Sequence, residues 1–149
     1  MAVQAIEKGS MVNGAERAIE FYKRALGAKE IDRFTMPDGK IGHAELEIGD
    51  SRLMLADDMP EMPDVVAKSP SLLGGTSFGL HLYVPDVDAA FARAQAAGGI
   101  VKRPVKDQFY GDRSGTFEDP FGHVWTISTH IEDVSPEEMQ RRAAAVHSG

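Results

Sequence analysis

Apolar residues recur at three- and four-residue spacing along three stretches of this chain and alternate with polar ones along most of the rest. In GAERAIEFYKRALG, residues 14–27, Ala18, Ile19, Tyr22, Ala25 and Leu26 fall on one stripe, which predicts a helix buried on one side. Asn13 with Glu16 three residues later predicts a capping box at its start, and Gly27 a stop. Residues 3–12 read as a ragged first strand. After the helix, AKEIDRFTM, IGHAELEI and SRLMLA read as strands joined by turns at PDGK and GD. The same order then returns. FGLHLYV reads as a strand, DVDAAFARAQAAGG as a helix starting at Asp86, and IVKRPVKDQF, DRSGTFE and HVWTIST as three more strands.

A constant offset of 72 places Val12 on Val84, Ile19 on Phe91, Gly27 on Gly99, Leu53 on Trp125 and Leu55 on Ile127. Element order and offset agree, so the chain reads as a repeat of two βαβββ modules. The expected organisation is one domain with modules at 1–56 and 77–130. A connection at 57–76 carries three of the eight prolines, and a tail helix spans 135–147. The connection reads as a mobile linker or a lid. The tail helix opens with Ser135 as cap, Pro136 in the first turn and Glu138 three residues after the cap, and is expected on the outside or against a partner chain.

Composition narrows the function classes. With 149 residues, 42% of them hydrophobic, the chain can bury a core without staples. Its 23 acidic and 16 basic residues give a charge of −7, which argues against nucleic acid as partner. There is no cysteine, so disulfides, thiolate metal sites and a cysteine nucleophile are excluded, in keeping with a cytoplasmic location. No window approaches the roughly 20 apolar residues of a membrane span, so no membrane association is expected. Gly-rich phosphate loops and GxSxG are absent, and HAELE alternates as a strand, unlike a two-histidine zinc helix.

The phrases AIEFYKRALGA, HLYVPDVDAAFARAQAAGG and EDPFGHVWTI, set in two βαβββ modules, resemble the vicinal oxygen chelate superfamily. That superfamily holds glyoxalase I, the bleomycin-resistance proteins, the fosfomycin-resistance enzymes and the extradiol dioxygenases. DGKIGHAEL, DQFYGDRSG and DPFGHVW in one chain are similar to its PhnB-like group. The resemblance covers about residues 5–130 and implies an α+β fold whose modules curl a mixed sheet into a cup, with the tail helix added. It also implies a homodimer in which strands of one chain complete the other's cup. In the metal enzymes of the superfamily, four side chains from equivalent strands bind a divalent ion. Carried over by the family's spacing, those positions are Glu7, Met54, Gly79 and Thr126. A thioether, a glycine and a neutral hydroxyl are a poor donor set, so no cofactor is expected. A divalent metal would need a non-standard site around Glu7 and His81.

If those four positions face the cup, strand alternation adds Gly9, Met11, Arg52, Ala56, His81, Tyr83, Val124 and Ser128 to the same face. The opposite parity, with Leu53, Leu55, Leu80, Leu82, Trp125 and Ile127, is the helix-covered face. The cup is thus partly apolar and partly hydrogen-bonding, as a site for a small amphipathic molecule should be. His81 is the candidate general base, with a structural histidine as the alternative reading. Glu7 is a candidate catalytic carboxylate or the salt partner of Arg52 or His81. His43 and His123 read as structural. Arg52, Met54, Tyr83 and Thr126 are candidate ligand contacts in the cup, and Tyr110 and Arg113 at its rim, where Arg113 suits a carboxylate or phosphate.

The resulting expectation is a glyoxalase/bleomycin-resistance-like protein that binds a small amphipathic metabolite or antibiotic-like compound. The alternatives are a lyase or isomerase using His81 or an off-register metal, and an interaction module with a vestigial cup.

Overall fold

In the computed structural model, which describes residues 8–148, two βαβββ units follow one another. The first comprises β1 (Lys8–Val12), α1 (Ala15–Leu26), β2 (Lys29–Thr35), β3 (Ile41–Ile48) and β4 (Ser51–Asp57). A four-residue helix, α2 (Pro70–Leu73), interrupts the connection. The second unit comprises β5 (Gly79–Tyr83), α3 (Val87–Ala96), β6 (Ile100–Asp107), β7 (Asp112–Glu118) and β8 (Val124–His130), and α4 (Pro136–His147) ends the chain. The sheets have the orders β1-β4-β3-β2 and β5-β8-β7-β6, each with one parallel pair, β1 with β4 and β5 with β8. This is the α+β repeat that the sequence predicts. Residues 3–7 of the expected first strand, including Glu7, lie outside the described residues.

One apolar core serves both units. Leu53, Leu55, Trp125 and Ile127 are buried together with Ala18, Ile19 and Tyr22 of α1 and Ala90, Phe91 and Ala94 of α3. Aromatic contacts knit the two halves, with Tyr22 and Trp125 centroids 5.5 Å apart and those of Phe21 and Phe117 6.4 Å apart. Successive strand residues point to opposite faces. The register pairs Gly9 with Met54, His81 with Thr126 and Tyr83 with Ser128, on the face away from the helices.

The start of α1 departs from the expected capping box. Gly14 is the N-cap, in a left-handed conformation (φ 102°), and no side chain of the helix caps it. Asp57 does so from the end of β4: its Oδ1 accepts from Gly14 N at 3.0 Å and Ala15 N at 2.8 Å, and its Oδ2 from Ile41 N at 2.8 Å. The parallel pairing of Val12 with Asp57 brings this carboxylate to the helix end, where it satisfies orphan donors. Glu16 pairs with Arg33 of β2 instead. Seventy-two positions after Asp57, Thr129 has the matching role: its hydroxyl accepts from Val87 N at 2.9 Å and donates to Val84 O at 2.8 Å. Asp86 adds the local cap to α3, accepting from Ala89 N at 3.0 Å.

The connection is tied at its neck. Asp58 Oδ1 accepts from Ser69 N at 2.9 Å and its Oδ2 from the Ser69 hydroxyl, and Ser69 is fully buried. Residues 59–68 therefore form a closed excursion, an Ω-loop, with Met59 buried and Val66 85% exposed. Gly122, at φ 89°, lets the DPFG turn abut the base of α2, since a Cβ there would lie 2.7 Å from Pro70 Cβ. The tail helix buries no residue and lies on the outside. Arg142 anchors it, donating to Glu132 at 2.8 Å and to Phe109 O at 3.4 Å, while Glu138 of the same helix accepts from it at 2.8 Å.

Candidate functional site

A cavity of about 700 Å³ lies between the helix-free face of the first sheet and the connection. Met11, His43 and Met54 form its sheet wall, and Val66, Lys68 and Phe78 belong to the covering segment. His43 stands two residues before Glu45, which pairs with Met54, so alternation places it on this face. The expected structural partner for His43 is missing: among the described residues it makes no hydrogen bond. His123, at the cavity's edge, is tied down. Its Nε2 donates to Met11 O at 2.9 Å, and its backbone N donates to Asp119 at 3.0 Å. A carbonyl only accepts, so Nε2 carries the proton.

The second sheet carries a hydrogen-bonded polar array on the corresponding face. His81 Nε2 lies 2.8 Å from the hydroxyl of fully buried Ser128, and the His81 and Tyr83 rings stack with centroids 5.0 Å apart. The Tyr83 hydroxyl donates to Asp112 at 2.7 Å, and Asp112 in turn accepts from His130 Nδ1 at 2.9 Å. The bond to Asp112 pushes the Tyr83 phenol above its usual range. Burial acts to raise the Asp112 carboxyl, but the bonds from His130 and Tyr83 outweigh it and hold the carboxyl below its usual value. Asp112 and Asp133, in that order of strength, raise His130.

The other candidate residues are placed as follows. Arg52 pairs within its own sheet, with Glu45 at 3.2 Å and Glu47 at 3.3 Å, because β3 sets Glu47 opposite it. Its Nη1 is buried and, despite the short approach of Glu45, lacks a well-aligned acceptor. Arg52 and His81 share a small cavity of about 50 Å³ at the seam between the units. Met54 lines the large cavity, and Thr126 is bonded to Thr116, oxygen to oxygen, at 2.9 Å. Arg113 points to the helix side, held by Asp88 at 2.8 Å and Asp107 at 2.9 Å. Tyr110 stands in the β6–β7 turn against Phe109, at 5.2 Å between centroids. The fold therefore brings Arg52 to His81 and Tyr83 to Asp112, and brings neither Tyr110 nor Arg113 to either cavity.

Sequence reasoning missed His43 as a cavity residue, although alternation in IGHAELEI carries the signal. It also missed His130 and its pairing with Asp112, which depends on the register of β7 with β8.

Of the four positions at which the superfamily's metal enzymes hold their ion, the three described ones are Met54, Gly79 and Thr126. They do not fit a divalent cation: one supplies no side chain, one a thioether, and one a hydroxyl already bonded to Thr116. Among the described residues no three histidine, aspartate or glutamate side chains converge on a common point. Nor is any described helix long and apolar enough to cross a membrane.

Comparison with known proteins places this geometry. A Mycobacterium bovis protein described as uncharacterized is 41% identical over 145 residues, covering 97% of this chain and 95% of its own. The crystal structure of TioX from Micromonospora sp. ML1 matches with a TM-score of 0.66 at 27% identity, covering 85% of this chain and all of that one. A glyoxalase-related enzyme from Fulvimarina pelagi matches with a TM-score of 0.67 at 23% identity, over 85% of this chain and 88% of its own. The family model for the glyoxalase/bleomycin resistance protein/dioxygenase superfamily matches residues 8–127. The two-module topology and this match agree: the chain belongs to the glyoxalase/bleomycin resistance protein/dioxygenase superfamily.

Proposed function

We propose that this protein is a binding member of its superfamily that holds a small amphipathic molecule, a metabolite or an antibiotic-like compound, without a metal. The observation that carries this reading is the cavity of about 700 Å³, a volume within the range of small-molecule sites. Its wall mixes Met11, Met54, Val66 and Phe78 with imidazole and hydroxyl groups, which suits a ligand with an apolar body and a few polar atoms. The test is calorimetric titration with bleomycin and with 1-decanol, on the native protein and on Ala56→Trp, which sets a bulky side chain into the cavity from the sheet wall. Binding of either compound that Ala56→Trp abolishes supports the reading, and binding of neither overturns it.

A second reading is favoured by His81. It is solvent-exposed, bonded to Ser128 and stacked on Tyr83, an arrangement suited to taking a proton from a molecule on the second sheet, as in a lyase or isomerase. Turnover of a carbon acid that disappears in His81→Ala would make it the leading one.

A homodimer completes the proposal. β5 is an edge strand with Tyr83 61% exposed and Phe78 54% exposed just before it, a surface that a second copy would cover. Light scattering at the mass of one chain, 16.2 kDa, would remove this part.

A further inference from the structure

We infer that the ligand of the large cavity is an acid: an apolar molecule with one anionic group, received by His43 and Lys68. This rests on the cavity-binding reading above and adds the charge of what is bound. The chain has 23 acidic and 16 basic residues, so a lining drawn at random from its ionisable groups would hold carboxylates. The described lining holds none. Its ionisable side chains are Lys68, His43 and His123. His123 is occupied with Met11 O, whereas His43 and Lys68 make no hydrogen bond or ion pair among the described residues. The other described cations nearby are spoken for. Lys40 reaches Asp58 O at 3.4 Å and Glu61 at 3.2 Å, and Arg52 is engaged by Glu45 and Glu47.

The placement of the two free donors sharpens the point. His43 projects from β3 on the rigid sheet, and Lys68 stands one residue before Ser69, whose bonds to Asp58 tie the connection down. A carboxylate entering this lining would meet donors on both walls, half-buried His43 and exposed Lys68, while its apolar body would lie against Met11, Met54 and Phe78. An ammonium head there would meet an unpaired ammonium and an imidazole with no described carboxylate to balance it. The net charge of −7 works the other way and would favour a cation anywhere else on the surface, so a preference for an anion is specific to this cavity.

The experiment is calorimetric titration of the full chain with decanoate, 1-decanol and decylamine, which share a tail and differ in head charge, on native protein and on the His43→Gln/Lys68→Gln double variant. Native protein is expected to bind decanoate about tenfold more tightly than decanol, the ratio that one charge-assisted bond supplies, and decylamine most weakly. The double variant should lose the decanoate advantage while its decanol affinity stays within about twofold. An unchanged melting temperature shows that the variant is folded. Decylamine binding as tightly as decanoate, or an advantage that survives in the double variant, overturns the assignment while leaving cavity binding intact. Failure of all three compounds on native protein overturns this inference, and the binding reading falls with it only if bleomycin fails to bind as well.

Discussion

The Tyr22 hydroxyl donates to Asp119 Oδ2 at 2.5 Å, joining α1 of the first unit to the DPFG turn of the second across 97 residues of sequence. Asp119, 1% exposed, also accepts from Trp125 Nε1 at 3.0 Å, Phe121 N at 2.9 Å and His123 N at 3.0 Å. One carboxylate thus shapes the turn and clamps the two modules together. Burial, followed by the charge of Asp119, pushes the Tyr22 phenol well above its usual range.

Asp119→Ala would strand four buried donors, each costly to leave unpaired, and should destabilise the protein by about 3 kcal/mol or more. Tyr22→Phe removes a single donor and should cost about 1 to 2 kcal/mol. Urea denaturation measures both, and equal losses for the two variants would contradict the hub role of Asp119.

Asp57 and Thr129 should behave as matched caps. Asp57→Ala frees three N–H groups and Thr129→Ala one, so expected losses are about 2 and about 1 kcal/mol, and the double variant should show their sum because the two caps share no hydrogen-bond partner. Strong non-additivity in urea titrations would show that the two helix ends are coupled.

Stability should depend on pH through His130. Both of its ring nitrogens face carboxylate oxygens, Asp112 at 2.9 Å and Asp133 at 2.7 Å, so both donate and the ring is cationic. A raised folded pKa means that its contribution is full below the unfolded pKa and is lost as pH rises through the folded value. The lowered Asp112 has the opposite sense: its contribution is present above its unfolded pKa and is lost as pH falls through the folded one. The urea midpoint of native protein, compared with His130→Gln, should therefore decrease as pH rises from the ordinary histidine range, about pH 6.5, through the raised folded value. Parallel curves for the two proteins would sink this assignment.

Asp58→Ala should open the Ω-loop. Loss of bonds from both the amide and the hydroxyl of Ser69 should raise cleavage by added protease within 59–68 by about tenfold. Unaltered cleavage would mean that the loop is held by its other contacts.

Nickel, zinc and manganese should leave the melting temperature where it is, because a ligand that binds the native state must raise it, and Met54, Gly79 and Thr126 offer no adequate shell. A stoichiometric ion with a rise of several degrees would reveal a site built from other donors.

Much of the architecture was legible in the chain. The stripe of Ala18, Ile19 and Tyr22, the alternation that sets Leu53 and Leu55 apart from Met54, and the offset of 72 predict two βαβββ units and assign the faces of their sheets, because side-chain direction in a regular element follows from local backbone geometry. The caps and the site were another matter. Asn13 and Glu16 form a plausible capping box, yet Asp57 does the capping, since it arrives by a parallel pairing that closes only when the sheet forms. Arg52 is matched to Glu45 and Glu47 by strand register, and Arg113 to Asp88 by the docking of α3. His43 faces a cavity whose other wall is the connection, tied at its neck by the two Asp58–Ser69 bonds. Periodicity follows from local geometry, whereas a cavity and the partners of its charges depend on which distant segments meet, and only the folded chain decides that.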